Sequence, residues 1–149
     1  MASRYDVYTQ VIPADQYNGT KFISFGPTRS VGCRGLQKLL GVFTKYLLTP
    51  VGTDPLDPTI GTELTSLLGS NVGVFDARDI LNLSVNKCVT DIQAMQLNQG
   101  LPSDERLASA FVTQYIELPD ANGFSAQILI KNAANQGTVV LLPTLTVGT

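Results

Sequence analysis

Residues 49–64 read TPVGTDPLDPTIGTEL, and no regular element can run through them. Pro50, Pro55 and Pro58 each lack a backbone donor and fix φ, and each pushes the preceding residue towards an extended conformation. An amphipathic segment lies on either side, so the chain has to bring two helices together across an interruption. The stretch lacks the spacing of a phosphate-cradling loop, and its glycines do not join a strand to a helix start. Asp54, Asp57 and Glu63 supply carboxylates, but the prolines break the alternation a calcium loop needs. Three prolines also make a poor flexible linker. The stretch therefore predicts a rigid, extended connector that sets the angle between two helices and leaves Asp54 and Asp57 facing a partner.

Upstream, Leu36, Leu39, Leu40, Phe43 and Leu47 recur at helical spacing, which predicts a helix over 31–48. Downstream, TELTSLL (62–68) predicts a short helix capped by Thr62 and stopped at Gly69. A long helix follows over 75–99. Its seam of Leu81, Val85, Cys88, Ile92 and Met95 steps by four and three, and the Met and Cys there read as packing groups.

The two ends of the chain read as strands. RYDVYTQVI (4–12) and KFISF (21–25) carry the period-two, β-branched and aromatic signal, separated by turn chemistry at Asn18-Gly19. Residues 107–118 fit a helix face or a strand. Their β-branched and aromatic content, and the short loops that follow, favour a strand. FSAQILIKN and TVVLLPTLTV (138–147) then complete a meander, with Gly123 at the tight position of the first loop. The result is an α+β class: N-terminal strands, two main helices joined by a Pro/Gly-rich connector, and a C-terminal antiparallel β-meander. One domain over 1–149 is expected, with strand segments 1–28 and 138–149 available to neighbours.

Composition narrows the function. Charged residues make up 15% and hydrophobic residues 44%, a sparsely charged surface of the kind that partners cover. Lys and Arg are scattered, with no basic stripe, which speaks against nucleic acid. No apolar leader or membrane-length run is present, so a cytoplasmic protein with Cys33 and Cys88 as reduced thiols is expected. The Asn18 and Asn82 sequons then read as coincidence. Histidine is absent, which removes Ser-His and Cys-His nucleophile pairs and imidazole metal sites. Asp54/Asp57 and Asp104/Glu105 remain nominal carboxylate pairs, and no enzymatic role, cofactor or metal is expected.

The run KYLLTPVGTDPLDPTIGTELTSLLGS, then a long helix, LPSDERL and a meander, resembles the small baseplate-wedge or sheath-initiator proteins of contractile phage tails. The resemblance spans roughly residues 30–145. In that family a Glu-Pro-Arg motif follows the long helix. Here the place reads Asp104-Glu105-Arg106. The proline is missing, Arg106 maps directly, and Asp104 or Glu105 takes the place of the acid. The resemblance implies a structural role on the tail baseplate, in the virion after assembly in the host cytoplasm. Its implied partners are tail sheath protein, baseplate wedge proteins and tail tube or hub proteins, in a ring of copies, with no membrane contact. Strands would be offered to the first sheath ring for strand exchange. The alternative is another small tail component, for completion or connection. The partner-binding set is then Asp104, Glu105 and Arg106 after the long helix, Asp54 and Asp57 in the connector, and Val139, Val140, Leu141 and Leu142 in the last strand.

Overall fold

A computed structural model describes residues 34–67, 74–118, 120 and 122–146. Helix α1 spans Gly35–Leu48 and helix α2 spans Val74–Gln96, with a single 3-10 turn at Leu64–Leu67 between them. Strands β1 (Leu107–Leu118), β2 (Gly123–Asn132) and β3 (Gly137–Thr146) form one antiparallel sheet in the order β1-β2-β3. The α+β class with a C-terminal meander is thus observed. The strands expected at 4–12 and 21–25, Cys33 and Gly69 lie outside the described residues.

The helices share one face of the sheet, and the core lies between. Helix α1 buries Leu39, Phe43 and Leu47, and α2 buries Leu81, Val85, Cys88 and Ile92. Strand β2 alternates without interruption, burying Phe124, Ala126, Ile128 and Ile130 and turning Ser125, Gln127 and Leu129 outward. This is the period-two pattern of a central strand with one covered face. Beneath α1 and α2 the same layer includes Ala110 of β1 and Leu142 of β3. Tyr115 stacks on Phe124 with centroids 5.0 Å apart, and Arg78 of α2 lies over the Tyr115 ring at 5.8 Å. The Tyr46 hydroxyl of α1 donates to Met95 Sδ of α2 at 3.1 Å and ties the helices together.

The outward face is partly apolar. The register sets Phe111, Leu129 and Val139 side by side across the three strands, with Leu141 in the next row and Ile116 farther along β1. Among the described residues no helix is long and apolar enough to cross a membrane.

Three local readings need correction. The segment at 62–68 is a 3-10 turn rather than an α-helix, although Thr62 does cap it, its Oγ1 accepting from Leu64 N–H at 3.2 Å. Helix α2 stops at Gln96, three residues early, where the backbone goes over to a tighter turn in which Gln99 N–H donates to the Gln96 carbonyl at 3.2 Å. In the β1–β2 loop the left-handed position belongs to Asn122, at φ 44°, while Gly123 is buried as the first residue of β2. A short polar side chain lets Asn occupy that conformation.

Candidate functional site

The connector is a closed loop and not the extended one its prolines suggest. Thr62 N–H donates to the Thr49 carbonyl at 2.8 Å, and Pro50 and Thr62 form an isolated bridge, so the two ends meet. Thr62 Oγ1 also donates to the Leu47 carbonyl at 2.6 Å. Gly52 N–H donates to the Pro58 carbonyl at 3.1 Å and narrows the loop further. A compact surface loop with touching ends is an Ω-loop.

The two aspartates build the turns of this loop. Asp54 Oδ1 accepts from Leu56 N–H at 2.9 Å, and Asp57 Oδ1 accepts from Thr59 N–H at 3.0 Å and Thr59 Oγ1 at 2.6 Å. A short carboxylate accepting from the backbone two residues on is the Asx-turn, and it explains why acids alternate here with prolines. Those Thr59 donors hold the Asp57 carboxyl below its ordinary range. Lys87 of α2 completes the anchorage, donating to the Thr59 carbonyl at 2.7 Å and pairing with Asp91. Leu56 stands at the apex, 95% exposed.

A cleft between this loop and α2 is lined by Tyr46, Asp57, Thr59, Ile60, Asp91 and Met95. Two carboxylates, Asp57 and Asp91, line it, and Asp57 is held below its ordinary range by Thr59. Burial raises the Tyr46 phenol, with Asp57 and Asp91 adding to the effect. Among the described residues no group of three His, Cys, Asp or Glu side chains could hold a metal ion.

The second place is the corner between α2 and β1. Glu105 reaches back to the start of α1, where Oε1 accepts from Gly35 N–H at 3.3 Å and Oε2 pairs with Lys38 Nζ at 2.7 Å. A carboxylate at a helix N-terminus satisfies an orphan donor and complements the helix dipole. The backbone of the tripeptide is held from three directions. The Asp104 carbonyl accepts from Asn132 Nδ2 at 2.9 Å, the Glu105 carbonyl from Gln96 Nε2 at 3.0 Å, and the Arg106 carbonyl from Ala133 N–H at 2.9 Å. Gln96 also accepts from Leu107 N–H at 2.8 Å, so its carboxamide brackets Arg106 on both sides. Arg106 itself is exposed, and among the described residues its guanidinium forms no ion pair.

The expected set therefore divides. Glu105 is the internal brace of the corner, with Asp104 beside Gly35, and the charge turned outward is Arg106. Lys38, not Arg106, is the cation that Glu105 meets. In β3, Val139 and Leu141 are exposed, whereas Leu142 is buried in the core and Val140 packs against it. Strand alternation turns only every second residue outward. The carboxylates of Asp54 and Asp57 are occupied in part by their own loop. Sequence reasoning missed Lys38, Gln96 and Asn132. Gln96 had a signal: it lies four residues after Ile92, on the face that the apolar seam buries. A buried polar residue in that position requires partners. The chain matches no family model, and no curated protein is significantly similar to it.

Proposed function

We infer that this chain is a structural component of a contractile tail baseplate, docking on the wedge and tube and templating the first sheath ring by strand exchange. The observation that carries the reading is the open edge of β3. Among the described residues no strand pairs with its far side, and Val139 and Leu141 are exposed along it. A ten-residue edge strand with no partner on that side among the described residues is a template for another chain's backbone. Each added main-chain bond contributes about 0.5–1.5 kcal/mol net, and repetition around a ring would multiply modest single contacts. The closed loop and the Arg106 corner supply fixed points for wedge or tube neighbours.

Truncation at Leu142 would remove Leu145, which packs against the core, so it would confound folding with docking. Lysines at Val139 and Leu141 leave the core intact and burden the edge with charge. Baseplates reconstituted with V139K/L141K should form and carry no sheath. Full-length sheaths on those baseplates would overturn the reading.

A further inference from the structure

We infer that residues 21–25 of this chain, KFISF, add to β3 as a fourth, antiparallel strand and close the sheet edge that the described residues leave open. The inference goes beyond the baseplate reading and does not rest on it, because it concerns the free protein. The two edges of the sheet differ. At the start of β1, Gln93 Nε2 of α2 donates to the Leu107 and Ala108 carbonyls at 3.4 and 3.0 Å, and Gln96 accepts from Leu107 N–H. The β1 ladder also slips twice, between Leu107 and Ser109 and between Val112 and Gln114. Side-chain cover and bulges both protect an edge from further pairing. Among the described residues β3 has neither over 137–142, where its register with β2 is unbroken, and Gly137–Thr146 carries no charged residue.

The phase of the β2–β3 hairpin fixes which backbone groups are free. Asn132 N–H donates to the Gln136 carbonyl, and the register stays in step from there to Leu142. Bonded and unbonded pairs alternate along an antiparallel ladder, so Thr138, Val140 and Leu142 bond to β2. The N–H and C=O groups of Val139 and Leu141 point away from β2, on residues 42% and 53% exposed. Pro143 ends this row, having no N–H to offer.

The occupant follows from where the chain enters α1. Helix α2 lies against β1, whereas α1 lies against β2 and β3. Gly35 N–H donates to Glu105, and the carbonyls on either side of that residue accept from Asn132 Nδ2 and Ala133 N–H. Asn132 and Ala133 open the turn that leads into β3 at Gly137. The chain before Gly35 therefore emerges on the β3 side of the sheet, at the end where β3 begins, and Arg34 enters in an extended conformation. A segment laid back from that corner along the edge runs against β3 when read forwards. Nine residues separate Phe25 from Gly35 and reach up to about 30 Å, against about 14 Å from Gly137 to Leu141. KFISF carries Phe22 on one face and Ile23 and Phe25 on the other. A strand in that place uses both, one face turned to the α1 side and the other continuing the outward row of Phe111, Leu129 and Val139. A sheath strand bound for the same edge would first have to displace it.

The test is amide exchange on the full chain and on the double variant I23P/S24P, which removes a donor from either side of the segment whatever its register. Val139 and Leu141 should exchange at least about tenfold faster in the variant, while Val140 keeps its protection in both proteins. Fast exchange at Val139 and Leu141 in both overturns the proposal. Slow exchange in both overturns it too, because something other than residues 21–25 then covers the edge. Should Val140 also lose protection, I23G/S24G serves as the milder variant, and equal loss at the three amides there overturns the proposal. Repeating the wild-type measurement across about a hundredfold dilution, beside sedimentation, separates the chain's own segment from a neighbour's. Protection should persist in the monomer, and protection lost on dilution would assign the strand to a second copy and overturn the proposal as made.

Discussion

Gly61 lies so close to Thr49 that a Cβ built on it would stand 2.4 Å from the Thr49 carbonyl oxygen. Its φ of +104° also belongs to a region that side chains avoid. The atom that would be struck is backbone, and it already accepts the Thr62 N–H that closes the loop. Gly61→Ala should therefore destabilise the fold by about 2–4 kcal/mol. Gly52 is the control: its φ is +84° with nothing within 4 Å, so Gly52→Ala should cost only about 1–2 kcal/mol of conformational strain. Urea denaturation of both variants checks the difference, and equal losses would refute the clash.

Asp57 should titrate below the ordinary carboxylate range, and the cause should be removable. Thr59→Val deletes the hydroxyl donor and should move the Asp57 midpoint upward, read by carbon-detected NMR. Because the folded-state pKa is depressed, the contribution to stability is present above the unfolded value. It is lost as pH falls through the folded one. The Asp57 contribution to the loop therefore falls away below about pH 4, and in Thr59→Val it should be smaller and gone at a higher pH than in wild type.

Cys88 should be chemically silent in the folded protein. Desolvation raises its thiol to about 12, with Asp91 adding to the effect. Iodoacetamide labelling at pH 8 should follow global unfolding, and faster labelling would contradict the burial. The folded-state pKa is raised, so this contribution is complete below the unfolded pKa of about 8.5. It declines as pH climbs towards the folded value of about 12. Cys88→Ala should lose that alkaline slope while being less stable at neutral pH through the smaller side chain.

Lys38 and Glu105 are both mostly enclosed, with 14% and 11% of their side chains exposed. Removing one partner strands the other charge, so Lys38→Met should cost about 2–3 kcal/mol. Adding Glu105→Gln to that variant should recover part of the loss, since a neutral amide can still accept from Gly35 N–H. Thermal melts of the four proteins in the cycle test this, and additive losses would show that the two side chains are not coupled. Arg106→Ala, by contrast, should stay within about 0.5 kcal/mol of wild type.

What the sequence made legible follows from periodicity. The α2 seam and the β2 alternation are long and regular, and the residues they mark for burial are buried, apart from a partly buried Met95 that still packs against the core. The closure of residues 49–62 was not legible, because it depends on Thr62 meeting the carbonyls of Thr49 and Leu47 across the loop. Proline spacing does not encode that. The Lys38–Glu105 pair joins positions 67 residues apart, and a lone lysine on a helix reads as a solvated charge until its neighbour is placed. Arg106 was visible as a residue, while its support was not: Gln96, Asn132 and Ala133 come from a helix end and a turn that meet only in three dimensions.

Because Thr49 and Thr62 touch, the helices and the sheet experience the intervening residues as a short splice. The segment from Thr53 to Asp57, inside the Gly52–Pro58 hydrogen bond, then behaves as a cassette, open to exchange without re-aiming α1 or α2. Its apex between Pro55 and Leu56 is exposed and only lightly bonded, the kind of place where foreign peptide is tolerated. A tag grafted there would stand clear of the helices and the sheet, and the same closure lets the sequence around Leu56 change while the rest of the fold stays as it is.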